Sequence, residues 1–195
     1  MRRKTFDTLV SSVGLILAVV LLIAGGLLTW ASSFVGGQVH DQLAEQNITM
    51  PSGPAIEGEA YAPLREFAGQ PMTNGDQARA YAEYFIKVHM DESSGGRTYA
   101  DLGADIRAAE EAGDEELATE LTGQRESRFK GETLRGLLLY GYAFATMGKL
   151  AGFAAIGAYV ASALLFALGF LGLRHARGAG DAEILVPRRE ETVTV

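Results

Sequence analysis

The 195-residue chain contains no cysteine, three histidines, one tryptophan and five prolines. Without cysteine there is no disulfide framework, no thiolate nucleophile and no zinc–thiolate site. A folded region in such a chain has to be held by packing or by its membrane anchors. A basic surface is also missing: residues 35–133 carry 19 acidic and 8 basic side chains. Nucleic-acid binding rests on Lys and Arg displacing counterions from phosphates, so nucleic acid is excluded as a partner. There is no glycine-rich phosphate loop, no G-x-S-x-G and no H-E-x-x-H. Nor is there the apolar–polar alternation of a half-buried strand, and the expected fold class is all-α.

What the chain does have is two long apolar segments. The first, LVSSVGLILAVVLLIAGGLLTW at residues 9–30, holds no charge over 22 positions. As a helix it would be about 33 Å long, which matches a bilayer core of about 30 Å. Arg2, Arg3 and Lys4 precede it and Trp30 closes it, as expected for a cytoplasmic start and an outer interface. The competing reading is a signal peptide cut near Ala31-Ser32-Ser33. Signal cores run to about 7–15 residues, so an uncleaved anchor is the better reading.

The second segment is apolar from Leu134 to Leu173, broken by Arg135 and Lys149. Two spans turning at Gly148-Lys149 would put Arg174, Arg177, Arg188 and Arg189 outside, against the positive-inside tendency. One span over residues 151–173 avoids this, with Lys149 snorkelling to the headgroups. The expected organisation is a cytoplasmic N-terminus (1–8), transmembrane helix 1 (9–30), an acidic helical extracytoplasmic domain (31–150), transmembrane helix 2 (151–173) and a disordered cytoplasmic tail (174–195). Leu134–Gly148 would then extend the second helix above the membrane, with external helices packing on it.

Both spans are rich in small residues. Gly148 and Gly152 form a G-x-x-x-G pair, Ala154, Ala158 and Ser162 recur every four positions, and Ala24-Gly25-Gly26 lies late in the first span. Such faces allow close helix approach, either of the first span on the second or of one copy on another. In the external region Pro51, Gly53, Pro54 and Gly58 break regular structure. Thr73-Asn74-Gly75-Asp76 and Thr98-Tyr99-Ala100-Asp101 read as helix starts, Gly95-Gly96 as a stop, and Gly113-Asp114 as an interruption. Glu115–Gly131 reads as a solvated, charge-alternating helical arm. Helical spacing makes Tyr81, Phe85 and Val88 core candidates, together with Leu138, Tyr140 and Tyr142.

The blocks QLAEQNIT (42–49), FAGQPMT (67–73), AYA (80–82) through His89, and GGRTYADL (95–102), in this order and spacing, resemble a family of small two-span membrane proteins from actinobacteria. The resemblance covers about residues 1–173. The chain differs in an insert around Ala108–Lys130 and in its tail after Arg174. Members often carry the label "aromatic ring-opening dioxygenase", which the resemblance would attach here. It brings no catalytic or ligand residues, because the shared blocks are caps, turns and apolar faces. A non-haem iron oxygenase needs two His and a carboxylate on one face of the metal. Outside the membrane the chain offers His40, His89 and the neighbouring Asp91-Glu92. His89 falls at a helix C-terminus, where the dipole favours an imidazolium anyway, and both histidines read as surface residues.

The expectation is therefore a non-enzymatic plasma-membrane protein with no cofactor, metal or catalytic residues. Its external domain would bind a membrane or envelope protein or a second copy of itself, with the lipid bilayer as its other partner. The alternative is an external sensor or cation-binding module built on Asp91-Glu92, Glu110-Glu111 and Asp114-Glu115-Glu116. These clusters lack the alternating ligand spacing and mid-loop glycine of a calcium loop.

Overall fold

The computed structural model describes residues 3–178. It is almost entirely helical, with no strand among the described residues. Among the described residues five α-helices follow in order: α1 (Arg3–Glu45), α2 (Gly75–Tyr81), α3 (Lys87–Ser94), α4 (Tyr99–Glu111) and α5 (Glu115–Gly178). A π turn, Ala82–Ile86, joins α2 to α3, and 3₁₀ turns occupy Gly53–Ile56 and Glu59–Phe67. α1 and α5 are long and apolar enough to cross a membrane. α1 runs unbroken through Ala31–Ser33, and α5 through Gly148-Lys149, where a two-span arrangement would need a turn. Of the tail expected to be disordered (174–195), residues 174–178 continue α5, and the rest lies outside the described residues.

The described residues divide into two units, 3–32 with 150–178, and 33–149. In the first unit α1 and α5 run antiparallel, and small residues form the seam. Ser11, Ala18 and Gly25 on α1 are buried, as are Ala155, Ser162, Gly169 and Ala176 on α5. Both sets recur every seven residues, the repeat of a left-handed supercoil. The contact is close enough that a Cβ on Gly169 would stand 2.7 Å from Leu15 Cγ, and one on Gly25 would stand 2.7 Å from the Tyr159 ring. Gly172 meets Ser11, and Gly152 meets Ser32. The Ser162 hydroxyl donates to the Ala18 carbonyl oxygen (2.7 Å), and the Thr29 and Tyr159 hydroxyls lie 3.1 Å apart.

The four-residue stripe read from the sequence is thus not the seam. Gly152 and Ser162 face α1, Ala154 is exposed and Ala158 half-buried. A four-residue repeat suits right-handed crossings, whereas this pair follows the seven-residue repeat. The large side chains point the other way. Val13, Ile16, Val20, Ile23 and Leu27 of α1, and Phe153, Ile156, Val160, Leu164 and Leu168 of α5, are all exposed.

The second unit has two cores. One gathers Leu43, Met50, Ile56, Leu64, Met72, Ala78, Ala80, Ala82 and Leu138. The segment between α1 and α2 supplies four of these, Met50, Ile56, Leu64 and Met72, so it is a packed element rather than a connector. Asn47, in the left-handed region at φ 50°, turns the chain out of α1. Residues 48–50 then pair with 70–72: Met50 N donates to Gln70 O (2.8 Å) and Met72 N to Ile48 O (2.8 Å). Arg65 ties the intervening loop by donating to the Ile56, Glu57 and Gly58 carbonyls.

The other core joins Leu102, Ile106 and Ala109 of α4 to Ala118 and Leu121 of α5. The charged arm expected over Glu115–Gly131 therefore has a buried face. Its apolar positions, Ala118 and Leu121, are three apart and share one side of the helix. Between α4 and α5, Gly113 takes φ 72°, and Asp114 N reaches back to Ala109 O (2.9 Å), a left-handed helix ending that favours glycine.

Replacing Gly169 with Leu is expected to force the seam open, at a cost of about 1–3 kcal/mol. Ala167→Leu, at an exposed position of the same helix, serves as the control. Thermal unfolding of the full chain in detergent should show a lowered midpoint for the first variant and little change for the second.

Candidate functional site

The second unit is built where α2, the π turn and α3 lie along α5. The start of α2 is fixed by a capping box one residue later than the sequence pattern suggested. Asn74 accepts from Gln77 N (3.0 Å), and the Gln77 side chain accepts from Asn74 N and Thr73 N. Gly75 then packs directly on α5. A Cβ there would stand 2.5 Å from Ala145 Cβ and 3.1 Å from Tyr142 Cα, so only glycine fits without moving backbone. Met90 of α3 fills the space over Gly131 in the same way.

Along the α2–α3 run, Tyr81, Phe85 and His89 form a ladder of rings, with centroids 5.0 Å and then 4.3 Å apart. Steps of four residues drift around an α-helix. The wider π turn at Ala82–Ile86 offsets that drift and keeps the three rings on one side. Tyr61 closes the ladder at 5.7 Å from His89 and 6.4 Å from Phe85. His89 Nδ1 donates to the Phe85 carbonyl oxygen (2.8 Å) and Tyr61 Oη donates to Glu92 (3.4 Å). Burial pushes the Tyr81 phenol up from its usual value.

Charged side chains fasten the same helices. Arg128 of α5, with its side chain only 10% exposed, donates to Asp91 (2.9 Å) and to Ser94 Oγ (3.2 Å), and pairs with Glu132 (3.3 Å). Lys87 takes the other Asp91 oxygen at 2.9 Å. Arg135 bridges Glu132 (3.3 Å) and Glu83 (2.8 Å). Arg97 links Asp105 (3.3 Å) to Gln124 (2.8 Å), and the Arg125 guanidinium lies 4.1 Å over the Tyr99 ring. The Lys87 ammonium, with Arg128 beside it, holds the Asp91 carboxyl below the usual carboxylate range against the opposing effect of burial.

This arrangement accounts for two of the acidic clusters seen in the sequence. Asp91 is held by two cations. Asp114 accepts from Leu117 N (3.0 Å) as the cap of α5, with Glu115 and Glu116 in the first turn, where the helix dipole favours negative charge. Asp101 accepts from the Thr98 hydroxyl and backbone N–H, which lower its pKa. His40 faces Asp41 (3.1 Å). Among the described residues no three His, Asp or Glu side chains converge as a metal-binding group.

The expected core residues divide between two sides of α5. Leu138 is buried, while Tyr81 and Phe85 pack against its cluster. Tyr142 is half-buried beneath Arg79, whose guanidinium is 5.0 Å from the ring. Val88 is half-buried but outside both cores, and Gly148 is buried. Tyr140 does not belong to the core at all: it is 67% exposed, and Leu137 and Phe144 are exposed with it. Two residues on a helix are about 200° apart, so burial of Leu138 turns Tyr140 outward. Arg128, expected on the solvated arm, is nearly buried, and Met50, Leu64 and Met72 are not singled out by the sequence. Only the apolar character of these last three, inside a proline-broken segment, hints at their burial.

The class these features define is an all-α protein with two helices long enough to cross a membrane and a separate helical unit locked by ion pairs. No protein-family model, curated protein or solved structure matches the chain.

Because the Asp91 pKa is lowered on folding, its contribution is fully present above the unfolded value of about 3.9 and is lost as pH falls through the folded value. Arg128→Met should cost about 1–3 kcal/mol near neutral pH and flatten the loss of stability below about pH 4. Unfolding midpoints of the full chain across pH, with and without the substitution, check both. Gly75→Ala should destabilise by about 1–3 kcal/mol, read as a lowered midpoint in the same assay.

Proposed function

We propose that the chain is an integral membrane protein of the plasma membrane whose external helical unit is a non-catalytic interaction module. In this reading α1 crosses outward over residues 9–30 and α5 returns over residues 151–173. Both ends are cytoplasmic, and the unit of residues 33–149 is held outside. The observation that carries it is the inverted polarity of the paired apolar helices. Small and hydroxyl side chains meet in their seam, while large apolar side chains cover their outer surface. That arrangement suits hydrocarbon, where close van der Waals contact and hydrogen bonds drive helix association. Basic residues ahead of the first span, and Arg174 and Arg177 after the second, support the orientation.

The external unit suits recognition better than chemistry. Arg97, Arg125, Arg128 and Arg135 are engaged within the fold, and Asp91 is engaged with them. Large apolar side chains nevertheless remain uncovered along α5, and exposed patches of that kind mark interaction surfaces. The cation-sensor reading gains nothing from Asp91, whose carboxylate already carries two cations.

Crosslinking in living cells followed by mass spectrometry tests this function. The expected outcome is reproducible crosslinks from residues 33–149 to a membrane or envelope neighbour or to a second copy of the chain. A strictly monomeric protein with no neighbour captured would sink the interaction reading.

A further inference from the structure

α5 has two opposed faces within the second unit. One carries Leu138, Gly131, Arg128, Arg135, Tyr142 and Ala145 toward the unit's own helices. The other carries Leu137, Tyr140, Phe144 and Met147, each more than half exposed. Their spacing of three, four and three is the a/d repeat of a coiled coil. A single amphipathic helix needs only one apolar face, and here the unit's own core already uses one.

We propose that this outer face is the contact between two copies of the chain, forming a parallel homodimer along α5. The proposal rests on the membrane reading given above. Two copies with the same topology, related by a twofold axis along the membrane normal, bring their α5 helices together parallel and in register. Each of the four residues then meets its own counterpart, as a and d positions do in a parallel two-stranded coiled coil.

Two features favour a second copy over other occupants. α5 carries no charged side chain from Gly136 to Gly148. In-register pairing therefore sets no like charges opposite one another, although residues 35–133 are strongly acidic. A partner selected by charge would find nothing on this face to read. The Lys149–Asp76 ion pair, with both side chains more than half exposed, lies in the same unit and C-terminal to all four residues. On the membrane reading Leu137 and Tyr140 stand about 18 Å and about 13 Å along the helix beyond Lys149, past the headgroups, while Met147 stands about 3 Å from it. Below Lys149 the same register continues as Ala151, Ala154, Ala158 and Ala161. Ala154 is exposed and Ala151, Ala158 and Ala161 are half-buried beside the intramolecular seam, and small residues permit close approach in the bilayer. Ala154 and Ala158, candidates for association from the sequence, fall on this line.

The natural chain has no cysteine, so single-cysteine variants report directly. Leu137→Cys, Tyr140→Cys, Phe144→Cys and Met147→Cys, oxidised in native membranes, are expected to give disulfide-linked dimers. Ala108→Cys, exposed on α4, should give several-fold less. Labelling of the same variants in intact cells with a membrane-impermeant maleimide reads the topology separately. Outside labelling without disulfide-linked dimers at these four positions overturns the homodimer and leaves the membrane reading standing, with lipid or a different protein as the occupant. Absence of outside labelling in lysis-sensitive form overturns the membrane reading as well. Equal dimer yield at Ala108→Cys also overturns the proposal. As a second measurement, the native chain in mild detergent should show twice the protomer mass by light scattering, and Phe144→Glu should lose it. A single-protomer mass for the native chain together with no membrane crosslink contradicts the dimer.

Discussion

Two helices that turn their small residues toward each other must find an apolar solvent for everything else. In α1 and α5 the seam is Ser11, Ala18 and Gly25 against Ala155, Ser162, Gly169 and Ala176, none of which buries much area. In water, helix pairing is driven by burying large apolar side chains, and here those side chains are outside. The pair is stabilised instead by closeness. Glycine and alanine let the backbones approach, dispersion acts over the short distance, and the Ser162–Ala18 hydrogen bond fixes the register. The membrane reading follows from this inversion more strongly than from the length of the apolar runs alone.

The other unit obeys the rules of water. Its interior is methionine, leucine and alanine, and its periphery is a chain of ion pairs from Lys87 through Asp91, Arg128 and Glu132 to Arg135 and Glu83. Exposed pairs contribute little individually, but Arg128 is nearly buried and joins three partners at once, so its loss would leave several groups unpaired. Glycine has a positional role at Gly75 and Gly131, where α2 and α3 come within contact of α5. The same requirement for close approach thus recurs in both units, met by glycine and alanine in one and by single glycines in the other.

Much of the element plan was legible in the sequence. The Thr98–Asp101 box, the Gly95-Gly96 stop and the break at Gly113 all fall where local backbone chemistry requires them. The Asn74 cap was displaced by one residue because two adjacent side chains, Thr73 and Asn74, both suit the position. The period of the seam is not legible in the sequence: the four-residue run ending at Ser162 and the seven-residue repeat share that residue, and only the hand of the crossing separates them. Tyr140 was misplaced because Leu137 to Phe144 is apolar on every side, so periodicity gave no phase. The core contributed by Met50, Leu64 and Met72 was hidden for another reason. It lies in a segment without regular repeat, tied by a backbone pairing between residues 48–50 and 70–72 that has no local sequence signal. For the candidate site, the sequence supplied the residue types but not the pairing that neutralises them.

Trp30 is the chain's single tryptophan, and its side chain is two-thirds exposed at the end of the apolar stretch of α1. An indole there should rest at the membrane–water interface. The most direct measurement is its fluorescence in vesicles containing lipids brominated at defined acyl-chain depths. Blue-shifted emission, quenched most strongly by bromines nearest the headgroups, is the expected result. Emission typical of indole in water, unquenched at every bromine depth, would contradict the embedding of these helices in a bilayer.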